Sequence, residues 1–486
     1  MVPTAGDTGV YDIVVVGGGP GGYAAALYGA AAGLSVAVVE RDKVGGTCLH
    51  RGCVPAKAFL ETASVYRTVS TAAEFGINAS SGPPAGEPPR SPRVDFAVSQ
   101  SRKQKVVDQL HRGLAGLMRS RGITTIAGTG TLLPGNIVRV DDGTEVAGRN
   151  VILAAGSVPR TIPGFEVDGE LILTSDEVLD LDHLPESAAV IGGGAIGCEF
   201  ASMLSDLGVR VTLLEALDSL LAGCDEDVVA VVSRSFRKRG IEVITGARIS
   251  GHAPMGPLGQ TARRGTRVIL EGSAEIEVEA VIVAVGRRPR IEGLLAEGVG
   301  VAVDERGFVQ IDRFMRTSSP GVWAVGDLVA TPQLAHVGFA EAMVAVKGIL
   351  GERAVPVDYA KVPWCIYSHP EVAFAGMSEA AARGAGLDVV VKADPLGGNS
   401  RARILGETDG LVKVIAERAA EGRAGRILGV HMVGPWVTEQ LGQAYLSVNW
   451  EAVPDEVAAF VQPHPSLSEA FGETMLALTG RGLHVG

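Results

Sequence analysis

Two stretches of this chain share one layout, and the repetition narrows the folds open to it. Tyr-Asp-Ile-Val-Val-Val runs into Gly-Gly-Gly-Pro-Gly-Gly over residues 11–22, and Ala-Val-Ile runs into Gly-Gly-Gly-Ala-Ile-Gly over residues 189–197. Each is a β-branched run, then a glycine-rich turn, then a helical stretch. Each then reaches a second apolar run that closes on an acid, Glu40 or Glu215, 23 residues beyond the first glycine in both cases. Strand, tight turn, helix, strand and acid at that spacing predict two dinucleotide-binding units in tandem. Gly17, Gly19 and Gly22, and again Gly192, Gly194 and Gly197, fit G-x-G-x-x-G. The first glycine makes the turn, the second lets a pyrophosphate approach the backbone, and the third lets helix pack on strand. The helix N-terminus offers unpaired N–H groups to the phosphates. Glu40 and Glu215 are placed to accept hydrogen bonds from a ribose hydroxyl pair. At Glu215 an acid suits the free 2′-hydroxyl of NAD and repels the 2′-phosphate of NADP.

Composition closes off several function classes. The 486 residues suggest about three domains. Lys plus Arg total 43 against 55 for Asp plus Glu, a net charge of −12 with no clustered basic stretch. Such a chain is a poor nucleic-acid or anionic-membrane binder, so its partners are expected to be small molecules or proteins. Residues 13–39 carry no charge, as a membrane span would, but five glycines between 17 and 22 break the run at its start. Strand, turn and buried helix account for it better than a span. The N-terminus shows no basic region followed by an apolar run, so a cytoplasmic, reducing compartment is expected.

Between the units the pattern predicts a helix over 102–121. Residues 80–93 and 251–265 are rich in Pro, Gly or Ser and read as exposed loops. A second long helix is expected over 336–350. From residue 362 the pattern turns to mixed strand and helix, with apolar runs at 389–391, 412–415 and 427–433, which suggests a third domain of α+β type.

Five cysteines are too few for a disulfide scaffold. Two of them lie in Gly-Gly-Thr-Cys-Leu-His-Arg-Gly-Cys-Val-Pro-Ala-Lys, residues 45–57. Zinc needs about four ligands, and no His cluster or C-x-x-C pair stands near Cys48 and Cys53, so no metal is expected. Two readings remain: a chance pair in a glycine-rich stretch, or a redox disulfide beside a flavin. Two dinucleotide units suggest one tightly held flavin and one diffusing nicotinamide. The N-terminal unit is the better flavin site because the cysteine pair follows it. Cys198, Cys224 and Cys365 have no partner spacing and read as buried or inert thiols.

The 45–57 segment resembles the active-site disulfide of the class I pyridine-nucleotide disulfide oxidoreductases. Ala324-Val325-Gly326-Asp327 resembles that family's second flavin motif, and Val285-Gly286-Arg287-Arg288-Pro289 the turn closing its nicotinamide domain. His464-Pro465-Ser466-Leu467-Ser468-Glu469 resembles its terminal His-Pro and glutamate signature. Within the family, Ser368-His369-Pro370-Glu371, Leu334-Ala335-His336 and the 429–434 run look most like the dihydrolipoamide dehydrogenase branch. The Cys-Cys tail of mercuric reductases is missing from Leu483-His484-Val485-Gly486, and Glu215 argues against the NADP-linked glutathione type. The chain departs from the family at Ala155, Ala56 and Gln462, where Thr, Ser and a second His are common.

The resemblance implies an α/β fold: two tandem Rossmann-like domains, for FAD and NAD, and a C-terminal α+β dimerisation domain. The implied boundaries are 1–157 for the FAD domain with its redox disulfide and 158–286 for the NAD domain. A central segment at 287–356 would complete the FAD site, and an interface domain would fill 357–486. It implies catalytic roles for Cys48, Cys53, His464 and Glu469. Cys48 would be the interchange thiol and Cys53 the thiol beside the flavin. His464, held by Glu469, would be the base reaching the disulfide from the neighbouring subunit of a homodimer. Lys57, paired with Glu199, would sit near the flavin. The cofactor-binding set is completed by Gly128, Gly156 and Asp327 on the FAD side and Gly286 on the NAD side. The expected reaction is dihydrolipoamide plus NAD to lipoamide plus NADH. The substrate would be a small dithiol or the lipoyl domain of another protein, as in a 2-oxoacid dehydrogenase complex, since no segment of about 80 residues precedes Tyr11. Two alternatives stand beside it. One is an NADH-dependent reductase of a different disulfide. The other is a flavin-holding carrier subunit, which the intact set Cys48, Cys53, His464 and Glu469 argues against.

Overall fold

Val10–Val16 ends in the buried β-branched run Ile13–Val16, and it forms the centre of the first sheet. In the computed structural model, which describes residues 9–77, 93–259 and 263–484, this strand lies parallel between Val36–Glu40 and Glu145–Leu153. Strands buried on both faces read as continuous apolar runs because helices cover each side. Thr124–Ala127 extends the sheet at one edge, and Ile137–Val140 and Gly130–Leu133 extend it at the other. Val322–Ala324 returns from far along the chain to pair parallel with Glu145–Leu153, which brings Gly326 and Asp327 to the first unit. The helices of this part are α1 (Pro20–Ala31), α2 (Gly46–His50), α3 (Cys53–Ser70) and α4 (Phe96–Ser120). α4 starts earlier than the expected residue 102 because the Asp95 side chain caps it, accepting from Val98 N at 3.1 Å.

The second sheet is all parallel. Its order is Glu242–Ile244, Arg210–Leu214, Ser187–Ile191, Ala280–Val283 and Ile172–Leu173. Its helices are α5 (Ser175–Val178), α6 (Ala195–Asp206) and α7 (Glu226–Lys238). A later helix, α8 (Ala335–Ile349), matches the expected 336–350 and packs on α1. Glycines allow that approach: a Cβ on Gly338 would lie 3.4 Å from Gly21 N.

The expected loop at 251–265 is corrected by the structure. Ile249–Leu258 and Arg263–Leu270 are antiparallel strands of a three-stranded sheet completed by Glu275–Val278. Pro254 and Pro257 sit at a register shift on the edge strand, where a missing N–H costs no ladder bond. Of the other expected loop, residues 80–92 lie outside the described residues.

The C-terminal part is an antiparallel sheet in the order Trp364–Ile366, Glu371–Gly376, Ala424–Gly434, Leu411–Arg418 and Val389–Pro395. Its flanking helices include Val437–Asn449 and Glu469–Leu478. Lys413 in this sheet is buried against Asp225 and Asp227 at the start of α7, at 2.8 and 2.7 Å, and against Glu379 at 2.8 Å. That cluster ties the sheet to the second unit. Among the described residues no helix is long and apolar enough to cross a membrane.

Candidate active site

The glycine turns meet the demands that their spacing implies. Gly17 has φ +101°, and a Cβ there would fall 2.3 Å from Ala154 O; a Cβ on Gly22 would fall 1.8 Å from Gly17 O. The second turn repeats this. Gly192 has φ +112° with Ala284 O at 2.4 Å from its would-be Cβ, and a Cβ on Gly197 would fall 1.8 Å from Gly192 O. Gly19 and Gly194 are the N-caps of α1 and α6. Neither helix has a side-chain cap or an acidic residue in its first turn, so their N–H groups stay open to an anion. Glu40 accepts from Gly18 N at 2.6 Å and Asp42 N at 2.8 Å. Glu215 accepts from Gly193 N at 2.5 Å and Leu217 N at 2.7 Å. Each carboxylate is thus aimed at its glycine turn with lone pairs left for hydroxyl donors. These cradles fit a dinucleotide each.

Gly128, Gly156 and Gly286 all have positive φ, of +144°, +73° and +104°. Gly128 N donates to Glu40 O at 3.0 Å, while Gly156 and Gly286 lie in the crossover between units, accepting from Arg290 N and Arg160 N. Beside them, Ser157 donates to Asp327 Oδ2 at 2.5 Å and receives Arg287 Nε at 2.7 Å. Gly326 N donates to Glu341 Oε2 at 2.6 Å, and Tyr359 OH to Oε1 at 2.9 Å. Glu341 is fully buried, and burial raises its pKa despite these donors. Sequence reasoning missed Ser157 and Glu341. Neither lies in a recognisable spacing: Ser157 meets Asp327 through the return of Val322–Ala324, and Glu341 meets Gly326 because α8 folds back beside the turn.

The cysteine pair stands where the first unit ends. Gly45 and Gly46 adopt φ +108° and +58°, and a Cβ on Gly46 would fall 2.5 Å from Gly19 Cα. This close approach seats α2, with Cys48, against the first glycine turn. Cys53 is the first residue of α3, where the helix N-terminus favours a thiolate. Both cysteines are free thiols, and they share a hydrogen bond. Donation from Cys48 is the main cause that lowers Cys53 to about 7; burial opposes it and Lys57 adds to it. The same donation, with burial, raises Cys48. Lys57 follows one helical turn after Cys53, with Nζ 2.9 and 2.7 Å from the two oxygens of Glu199 on α6. Burial works against the ammonium, but Glu199 outweighs it and holds its pKa above the ordinary value. Tyr367 N donates to Glu199 Oε1 at 2.9 Å, and its ring lies 4.9 Å from Lys57 Nζ. Tyr367 was another residue that the sequence pattern did not flag.

His464 is 66% exposed, with Nδ1 3.0 Å from Glu469 Oε2. Among the described residues Glu469 is its one hydrogen-bond partner. Among the described residues no hydrogen bond or ion pair links the His464–Glu469 pair to Cys48 or Cys53. Gln462 packs on the last helix, where a Cβ on Gly472 would lie 2.5 Å from its Cγ. His369 is a buried junction residue: its N–H donates to Ser202 Oγ at 2.8 Å, and burial, aided by Arg67 and Arg239, pushes its imidazole down to about 3. Cys198 is buried, and burial raises its pKa; burial also pushes Cys224 and Cys365 up, to about 12 and about 11. No group of three or more potential metal ligands occurs among the described residues.

With this geometry in hand, comparison with known proteins is decisive. Residues 11–342 match the pyridine nucleotide-disulphide oxidoreductase family, and residues 362–475 match its dimerisation domain. The chain belongs to this family. A dihydrolipoyl dehydrogenase of Bacillus subtilis (strain 168) is 39% identical, covering 98% of this chain and 99% of that one. One from Chlamydia pneumoniae is 35% identical, with 98% of each chain covered. Among solved structures, LpdA from Mycobacterium tuberculosis superposes with a TM-score of 0.86 at 27% identity, covering 96% of this chain and 99% of that one. The HOCl-induced flavoprotein disulfide reductase RclA from Escherichia coli gives 0.83 at 26%, with the same coverage. This oxidoreductase therefore has the α/β architecture expected of it, and the family's cofactors, FAD and NAD(H), match its two glycine cradles.

Proposed function

We propose that this oxidoreductase is a homodimeric, cytoplasmic dihydrolipoyl dehydrogenase that oxidises a protein-bound or free dihydrolipoyl dithiol with NAD. The observation that carries it is the Cys48–Cys53 pair beside the first glycine turn, with Cys53 at the N-terminus of α3 and its thiol pKa lowered by Cys48 and Lys57. Glycine turns at Gly17–Gly22 and Gly192–Gly197 would hold FAD and NAD, with Glu40 and Glu215 on their riboses. Gly128, Gly156, Asp327 and Lys57 would line the FAD site, and Gly286 the passage between cofactors. Bound FAD would supply a two-electron relay between the dithiol and the nicotinamide.

The chain's own residues account for the thiol steps. His464, oriented by Glu469, would take the proton from a substrate thiol, because only the thiolate attacks well. That thiolate attacks Cys48 of the oxidised pair and expels Cys53 as a thiolate. The second substrate sulfur, after losing its own proton, displaces Cys48. The substrate leaves as a disulfide, and Cys48 and Cys53 are left reduced. Lys57 would stabilise negative charge beside Cys53 while Glu199 keeps it protonated and in place. The open His464 surface suits delivery of the base to the other protomer's Cys48, with residues 362–475 as the joining surface.

An anaerobic titration tests the reading. NADH is added to the purified holoenzyme, the long-wavelength thiolate-to-flavin band is recorded, and lipoamide follows. The band should rise with NADH and vanish with lipoamide. A band that persists would leave the redox pair standing and move the substrate to another disulfide. Flavin reduction with no band would remove Cys48 and Cys53 from the mechanism.

A further inference from the structure

Two histidines outside that mechanism converge on one backbone atom. The carbonyl oxygen of Val44 lies 3.0 Å from His50 Nε2 and 3.1 Å from His111 Nδ1. The rings meet edge to face, with centroids 5.1 Å apart. A carbonyl only accepts, so His50 carries its proton on Nε2 and His111 on Nδ1. Val44 is buried, and the next two residues are the positive-φ glycines of which Gly46 seats α2 against Gly19. Gly45 N also donates to Gly18 O at 2.8 Å. The 44–46 stretch is thus fixed to the glycine turn on one side and gripped by two imidazoles on the other.

We propose that His50 and His111 are positioning residues, a clamp on Val44 that sets the placement of Cys48 against Cys53. The proposal rests on the redox role given to that pair above. α2 has five residues, too few to hold its own shape without tertiary ties. His50 supplies a tie from within α2, between the two cysteines. His111 supplies the other from α4, and α4 is itself anchored. Gln100 and Lys103, on the same helical face as His111, hold Leu179 O at 3.3 and 3.0 Å beside the second unit. The clamp therefore gives the small redox helix a rigid reference that its own length cannot provide. Burial, with His111 and Lys43 adding to it, holds the His50 imidazole below its ordinary pKa, against the Val44 carbonyl and Asp42. Neither ring touches a reacting sulfur. Their effect runs through the Cys48 donor bond that stabilises the Cys53 thiolate.

The test uses NADH-reduced holoenzyme and reads the pH midpoint of the thiolate band. His50→Leu and His111→Leu remove the donors. Each should raise the midpoint by about one pH unit, a tenfold loss of thiolate, and slow lipoamide-linked turnover with the KM for NAD unchanged. His50→Gln, which keeps an N–H near the Nε2 position, and His111→Asn, which keeps one near Nδ1, should restore both. An unshifted midpoint in a leucine variant that retains FAD overturns the clamp. So does an Asn or Gln variant that shifts as far as its leucine counterpart. Where a leucine variant loses FAD, His111→Asn is set against His111→Gln, whose amide sits one methylene farther out. A shift in the glutamine variant alone supports the clamp, and equal midpoints overturn it. If the wild-type protein shows no band at all, the redox role fails and the clamp fails with it; a normal wild-type band confines any failure to the clamp.

Discussion

The first glycine turn and the second are near copies, yet their surroundings differ. In both, the third glycine leaves 1.8 Å between a would-be Cβ and the carbonyl of the first, and in both an acid accepts from the N–H of the middle glycine. Above Gly19, however, lies Gly46, 3.9 Å from a would-be Cβ, whereas nothing lies within 4 Å of the same point on Gly194. The redox loop roofs the first turn, and α8 grips the helix behind it. At the second turn Leu221 N donates to Gly193 O at 2.8 Å, and only Gly194 is left uncovered. One motif thus stands in two settings, and the difference comes from what the rest of the chain lays across it. The α6 helix also carries Glu199, so the second unit supplies the partner of Lys57 in the first.

The sharpest way to separate the two sites is Cys53→Ser. It should cut lipoamide-linked NAD reduction by about a thousandfold or more, while FAD content and NADH oxidation by an artificial acceptor stay near wild type. Loss of both activities together would mean that the sites are not separable. Next, Gly197→Val should leave the protein yellow and lower kcat/KM for NAD about a hundredfold through overpacking. Gly22→Val should instead lose FAD, measured as the ratio of flavin to protein absorbance. A colourless Gly197 variant would reverse the assignment of the two turns. A smaller effect is expected from Glu215→Ala: a shift of about tenfold in the NAD to NADP preference as a repelling charge is removed, read from paired kcat/KM values. The smallest concerns pH. Cys53 titrates near 7, so its thiolate band should be present above that pH and fade as pH falls through it. Lys57→Met removes one lowering cause and should move the midpoint upward by less than about one unit, because Lys57 is partly exposed and screened.

Much of this was legible in the residue order. Helix 336–350 and the strands around 389, 412 and 427 announced themselves through apolar runs, and the two units through glycines that no other residue replaces. The failure at 251–265 has a clear cause: Pro and Gly signal a loop from composition, yet an edge strand with a register shift tolerates both. α4 began early because a single capping aspartate outweighed the periodicity. Ser157 and Tyr367 carried no signal because each acts on a residue that the chain reaches only by returning from elsewhere, and Glu341 none because its partners lie on neighbouring turns rather than at a motif spacing.

By itself, then, the sequence determined the local geometry: turns that need positive φ, helices whose N-termini carry no side-chain cap, and two cysteines, one within a short helix and one opening the next. Those follow from backbone sterics and nearest-neighbour patterning, which any short window contains. The tertiary structure alone decided that Glu199 meets Lys57, that Asp327 meets Ser157 and Arg287, that His111 reaches Val44, and that His464 stays exposed. Such meetings depend on how helices and sheets pack across large sequence separations, and no local preference encodes the distance between two side chains on different elements.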